Sequence, residues 1–399
     1  IGLDDGPSTP AARARVRRTP ADPVWSAALP DDPDAATAAF IARVPAEAQA
    51  RAKALNSSWN VAFVLRLMTL IATGALLLFS GAAAELSARA ARITRRPVLQ
   101  HALVGFVVVL LFFLLSLPVE TWAAFYRYRQ AGLSPSTYGQ WLGDALLNWA
   151  VSAAFIVPGV VAIFALIRIR PTSWAGWATI VYFLLAAANT LLAPMYIEPL
   201  FNAVTPLVEG ADKARILSLA RANGVPATDV FVRDASRQSV LLNAHVSGIG
   251  AQARIVLDDN TLATTPRPEV DMVMSHEIGH YVMAHTVMGL VFETLVTGAG
   301  FLVFAWILRI LARRPGQKWQ ISTTSAGTTI TLLFTLVSVW AIAMLPLNNA
   351  FSRRIEAAAD FSGLNPSRNP FGLGQLMLRA ACARHRAHRL LPAVPSLVL

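Results

Sequence analysis

The sequence predicts a mainly α-helical, multi-pass membrane bundle of about six spans with a small α+β unit set into it. Three observations carry that expectation. The chain has 399 residues with a mean hydropathy of +0.50, and only 14% of them are charged, well below the quarter usual for soluble domains. The apolar excess is gathered into six runs of about twenty residues, the length a spanning helix needs. Between the fourth and fifth runs, residues 200–286 change to a polar composition with strand-like and helix-like periods.

Charge and cysteine content narrow the class further. The formal charge of +11 would suggest nucleic acid in a soluble protein. Here the arginines crowd the ends of apolar runs, where interfacial anchoring and anionic headgroups account for them. No nucleic-acid partner is expected, and the lipid bilayer is. A single cysteine, Cys382, excludes an internal disulfide framework and a Cys-based zinc site.

Residues 1–58 mix Pro, Ala, Asp and Arg, as in Thr19-Pro20-Ala21-Asp22-Pro23. They read as a polar, partly disordered lead with a short Ala-rich helix near 35–55. Residues 59–199 hold four spans, near 59–82, 99–120, 147–168 and 174–197. Arg66 lies close enough to the end of the first to snorkel. Pro158-Gly159 and Pro194 predict kinks, which neighbouring helices make tolerable. Residues 287–347 hold two more spans, near 287–308 and 325–347. Glu293 falls inside the former and is read either as facing a polar interior or as a near-interface residue in water.

Within residues 200–286, Val208 to Asn223 reads as helix, and Asp229–Arg233 and Arg254–Asp258 as short strands. Thr265-Pro266 then starts a helix that carries Ser275-His276-Glu277-Ile278-Gly279-His280. Two histidines four apart on one helical face can reach a single ion. Zinc suits that ligand set, and a catalytic zinc keeps one position open for water. Glu277, one residue round from the first ligand, is placed to take the proton from that water.

One protein ligand is then missing. After the last span, residues 348–380 contain Asn349-Ala-Phe-Ser352-Arg353-Arg354-Ile-Glu356-Ala-Ala-Ala-Asp360. Glu356 and Asp360 are four apart, hence on one helical face. Glu356 can supply the third ligand to one Zn2+ per chain, and Asp360 can orient a ligating imidazole through its other ring nitrogen. His285 is rejected as a ligand, because nine residues from His276 is about 180° round a regular helix. The Met-turn zinc-protease pattern fails as well, since it needs a Gly and a His at other offsets.

Beside these motifs stand Leu117-Pro118 followed by Gly132-Leu133, and Ala193-Pro194-Met-Tyr-Ile-Glu-Pro199-Leu200-Phe201-Asn202 with Thr205-Pro206-Leu207. Asn243-Ala244-His245-Val246 follows, with Gly248 and Gly250, and then Arg254-Ile-Val-Leu-Asp258. In this order, over roughly residues 59–380, they resemble the type I CAAX prenyl endopeptidases, multi-spanning zinc metallopeptidases of the membrane. The resemblance implies a ring of membrane helices around a water-filled chamber, closed by an α+β zinc-metallopeptidase domain. It carries over His276, His280 and Glu356 as ligands, Glu277 as general base and Asp360 as their support. It also implies that the Asn243-Ala244 strand binds the backbone of a peptide or protein substrate, prenylated near its C-terminus, by β-augmentation. Arg353, in the motif's Ser-Arg pair, is expected to pair an acid near the site.

The sequence also departs from that pattern. The family has a further spanning helix at its start, and after the third ligand it continues to a His-Pro element that helps stabilise the oxyanion. Here residues 381–399 form an atypical basic tail, Ala381-Cys-Ala-Arg-His-Arg-Ala-His-Arg, in which His385 and His388 read as solvated. That tail motivates a competing reading as a catalytically silent zinc-binding membrane scaffold. A heat-shock-type membrane quality-control zinc protease shares the zinc motif. Four spans before that motif and the Pro-Leu-Phe-Asn element argue against it. Orientation stays open. Arg-rich loops around Arg89–Arg96 and Arg309–Lys318 place the metal site away from the cytoplasm by the positive-inside rule, whereas the resemblance places it toward the cytoplasm.

Overall fold

Among the described residues, six helices are long and apolar enough to cross a membrane, and they follow the six apolar runs in order. The computed structural model describes residues 46–312 apart from 249, 251 and 252, and residues 326–367, with a few isolated positions between 32 and 42. Most of the expected lead, and the tail 381–399 with Cys382, His385 and His388, lie outside the described residues. From Ala46 onward the lead is already helix. Its Ala-rich stretch runs unbroken into the first apolar run as α1, Ala46–Phe79, across Asn56-Ser57-Ser58, a weak helix-forming join that holds neither Gly nor Pro to end the helix.

After α1 come a short helix α2, Ala82–Ile93, and three spans, α3 Pro97–Gln130, α4 Tyr138–Ile169 and α5 Trp174–Phe201. In α3 the residues after Pro118 widen into a π-helical turn, Thr121–Tyr126. In α5 Pro194 lies inside a second one, Ala193–Ile197. A proline carries no N–H and crowds the preceding turn, and a wider turn absorbs both effects. The irregularity expected at Pro194 is therefore present. Pro158 instead sits inside an unbroken α4. That helix opens on a capping box, with Thr137 accepting from Gln140 and the Gln140 side chain accepting from Thr137. Two further spans, α9 His285–Ala312 and α10 Ala326–Ala343, complete the set.

The spans meet in two buried clusters. Leu78, Ile163, Trp174, Phe301 and Leu332 join α1, α4, α5, α9 and α10. Leu77, Val104, Val108, Phe164 and Ile330 join α1, α3, α4 and α10. Arg66 does not reach for the interface alone, as its position suggested. Its guanidinium makes two bonds, of 2.7 and 2.8 Å, to the Glu120 carboxylate of α3, and a paired charge costs less in an apolar setting than a single one. Glu293 is exposed on α9 and makes no ion pair among the described residues.

The polar unit is built on a four-stranded sheet of order β1-β2-β4-β3. The strands are β1 Val204–Pro206, β2 Val230–Arg233, β3 Ala244–Ser247 and β4 Arg254–Asp258. The β2–β4 pair is parallel and the outer two pairs are antiparallel. Central β4 is almost wholly buried, as its continuous apolar run requires. Ile255 and Leu257 pack against Ile216 and Ala220 of helix α6, Ala211–Ala222, and against Val270, Met274 and Ile278 of helix α8, Arg267–Val282. A short helix α7, Asp259–Thr264, precedes α8, whose N-cap is Pro266 rather than Thr265. The last described helix, α11, runs Leu345–Ser367 almost directly from the end of α10.

Candidate metal centre

Helices α8 and α11 lie side by side, backbone nearly against backbone, and two glycines permit it. A methyl group on Gly279 would stand 3.3 Å from the Ala359 carbonyl oxygen, and one on Gly363 would stand 3.0 Å from the His276 backbone nitrogen. Both contacts are tighter than almost any real side chain makes, so a methyl group at either position would push the two helices apart by a few tenths of an ångström. This close approach brings His276 and His280 of α8 within reach of Glu356 of α11.

The three side chains converge. Glu356 Oε2 is 3.3 Å from His276 Nε2 and 3.6 Å from His280 Nε2, and the two Nε2 atoms are 3.0 Å apart. One ligand atom from each residue lies within 4.8 Å of the others, the only such group of His, Cys, Asp or Glu among the described residues. Asp360 Oδ1 is 2.9 Å from His276 Nδ1, which leaves His276 Nε2 aimed at the shared point. Two imidazole nitrogens and one carboxylate oxygen, with a carboxylate behind the first imidazole, form a donor set that fits zinc.

The electrostatics follow from this crowding. Burial works against a charged His276, but hydrogen bonds to Asp360 and Glu356 outweigh it and raise its pKa to about 10. Burial likewise opposes ionisation of Glu356, yet hydrogen bonds from His276 and His280 bring it down to about 2. Glu277 is pushed up to about 7, chiefly by burial, with the two imidazoles opposing and Glu356 adding to the rise. A carboxyl group poised near neutrality is suited to taking and returning a proton.

His285 lies outside the ligand group, but it is not on the far side of the helix as regular geometry predicted. Helix α8 stops at Val282, and Ala284 adopts a left-handed conformation with φ 54°. Helix α9 then starts at His285, whose buried ring lies with Nδ1 2.9 Å from His280 Nδ1. Nothing in residue type announces this break, since alanine rarely takes a positive φ.

Asn243 and Ala244 sit at the start of β3, the edge strand beside β4. Asn243 itself precedes the strand. Its carbonyl accepts from the Asp258 N–H at 3.0 Å and from the Thr261 hydroxyl at 2.8 Å, and its side chain is exposed. Antiparallel alternation then turns the backbone groups of Ala244 and Val246 to the unpaired edge, while the Ala244 side chain is buried in the sheet's core. Arg353 does not meet its expected acid. It is exposed on α11 and forms no ion pair among the described residues.

A second polar cluster, not anticipated from sequence, joins the sheet to the end of α5. Arg233 of β2 bonds Asp258 of β4 at 2.7 Å and approaches Glu198 of α5 at 3.3 Å, with His245 of β3 3.7 Å from the same Glu198 oxygen. Burial pushes Asp258 up to about 6 against the pull of Arg233. Glu198 and His245 line a cavity of about 480 Å³ with Asn148 of α4. The partners of this cluster lie far apart in sequence, so no local spacing reveals it.

Fold and site together define an integral, multi-pass membrane protein whose polar domain brings two histidines and one glutamate close enough together to hold a metal ion. Residues 206–379 match Peptidase family M48, and residues 36–203 match the CAAX prenyl protease N-terminal family, described as five membrane helices. Together the two matches take in residues 36–379 except 204 and 205, so the chain is similar to peptidase family M48 behind a CAAX prenyl protease N-terminal segment. In that segment five helices, α1–α5, are described, four of them long and apolar enough to span.

An uncharacterized metalloprotease of Bacillus subtilis, YhfN, is 32% identical over 67% of this chain and 63% of its own length. CAAX prenyl protease 1 of Saccharomyces cerevisiae is 29% identical over 49% of this chain and 44% of its own length. The chain thus spans about half to three fifths of these relatives. The crystal structure of S. mikatae Ste24p aligns over 81% of both chains with a TM-score of 0.65 and 23% identity, a likeness of fold.

Proposed function

We propose that the protein is a membrane-embedded zinc metalloendopeptidase. The observation that carries this reading is the convergence of His276, His280 and Glu356, with Glu277 next to the first of them on the same helix. Zinc bound there would act as a Lewis acid and lower the pKa of its water toward neutrality. Glu277 would accept a proton from the attacking water as its oxygen adds to the scissile carbonyl carbon, and would return that proton to the amine as the C–N bond breaks. Asp360 holds His276 by its Nδ1–H and keeps Nε2 directed inward. An extended peptide pairs with the outward backbone groups of Ala244 and Val246, with Asn243 at the head of that edge. The names of the CAAX prenyl protease relatives support a substrate prenylated near its C-terminus, and the domain boundaries read from sequence accommodate this division of labour.

Cleavage by the purified protein of prenylated and unprenylated peptides, followed by mapping of the products, tests the reading. The expected result is zinc-dependent cleavage that Glu277→Gln abolishes while zinc stays bound. Unchanged turnover in Glu277→Gln overturns the role of that residue. Zinc without any cleavage in the wild type overturns the peptidase reading in favour of a silent scaffold.

A further inference from the structure

We propose that His285 is a positioning residue for the metal, acting through His280. Its Nδ1 lies 2.9 Å from His280 Nδ1, and the two rings meet edge to face with centroids 5.0 Å apart. His280 Nε2 faces Glu356 and His276, so a ligating His280 keeps its lone pair at Nε2 and its proton at Nδ1. The short contact then has one consistent direction. His280 Nδ1–H donates, His285 Nδ1 accepts, and His285 is neutral with its own proton on Nε2.

The fold is built to make this contact. The Met283 N–H donates to the Gly279 carbonyl and the Ala284 N–H to that of Tyr281, closing α8. The Ala284 carbonyl accepts from Val287 and Met288, opening α9. The left-handed Ala284 between them swings the chain back over the ligands, and His285 is only 7% exposed there. Each ligating imidazole therefore has its own support, Asp360 behind His276 and His285 behind His280.

The two supports differ in charge, and the difference has a use. Glu356 and Asp360 already bring two negative charges to a divalent ion. A third carboxylate behind His280 would further weaken the ion's pull on water and carbonyl oxygen, whereas a neutral imidazole orients the ligand without that cost.

The inference rests on the proposed ligand set, and the test separates the two. Zinc affinity is measured by chelator competition on the purified metal-free protein, for wild type, His285→Phe and His285→Asn. Phenylalanine keeps the ring's volume and deletes the acceptor. Asparagine loses volume but keeps an acceptor near the Nδ1 position. The expected result is a zinc affinity about 10–100-fold weaker in His285→Phe, with His285→Asn restoring most of it. A purely space-filling role predicts the opposite order, and that order, or wild-type affinity in His285→Phe, overturns the inference.

If His285→Phe does not fold, the cobalt-substituted wild type decides the matter by NMR. A slowly exchanging His280 Nδ1–H resonance supports the inference, and one that exchanges freely with water overturns it. Absence of any zinc binding in the wild type overturns the ligand set itself.

Discussion

Lys213 on α6 is buried, with its side chain 8% exposed, and its ammonium lies 2.6 Å from both Glu209 and Asp229. The hydrogen bond from Lys213 holds the Asp229 carboxyl below the usual carboxylate range, against the opposing effect of burial. A carboxyl whose pKa is depressed on folding stabilises the fold above its unfolded value, and that contribution is lost as the pH falls through the depressed value. Thermal unfolding of wild type and Asp229→Asn should therefore differ at neutral pH, and the gap should close in acid. A gap independent of pH would refute the coupling. Single residues were also where the sequence spoke most clearly. The His276–His280 and Glu356–Asp360 spacings are local helical geometry, so both pairs were legible. His285 was not, because its place depends on one left-handed alanine that no spacing rule encodes. A partner for Arg353 would come from a distant part of the chain, and no acid among the described residues forms an ion pair with it.

At the scale of elements, the α8–α11 contact sets the geometry of the site. Gly363→Ala places a methyl group 3.0 Å from the His276 nitrogen. Overpacking costs about 1–3 kcal/mol, and the better helix propensity of alanine returns about 1 kcal/mol. The expected outcome is a modest fall in unfolding temperature with a clear loss of zinc affinity, because the strain falls on a ligand's own backbone. Gly289→Ala on α9, where a methyl group meets nothing within 4 Å, serves as control and should leave zinc affinity unchanged. Equal affinities in both variants would separate the helix contact from the metal. Strands β2 and β4 were legible as short apolar runs. Three-residue β1 carries too few positions for a period, and β3 was expected only through the likeness of its motif to a known family. The glycine contact itself is tertiary, and a helical glycine looks the same in sequence whether or not another backbone presses on it.

For the whole molecule, six apolar runs match the spans among the described residues in number and order, because burial of backbone polar groups in lipid forces long uninterrupted helices. Their partners were not legible, since clusters such as Leu78, Phe301 and Leu332 join residues far apart in the chain. One arrangement has a mechanical side. The helix bearing the two histidines passes through a two-residue turn into span α9, and the helix bearing Glu356 follows span α10 after a single residue. When the surrounding lipid is thinner or thicker than these spans, they tilt to match it, and each carries one side of the proposed metal site with it. Zinc affinity measured in nanodiscs of graded acyl length should pass through a maximum. A flat profile would mean that the Gly279 and Gly363 seam is stiff enough to shield the ion from the tension of its surroundings.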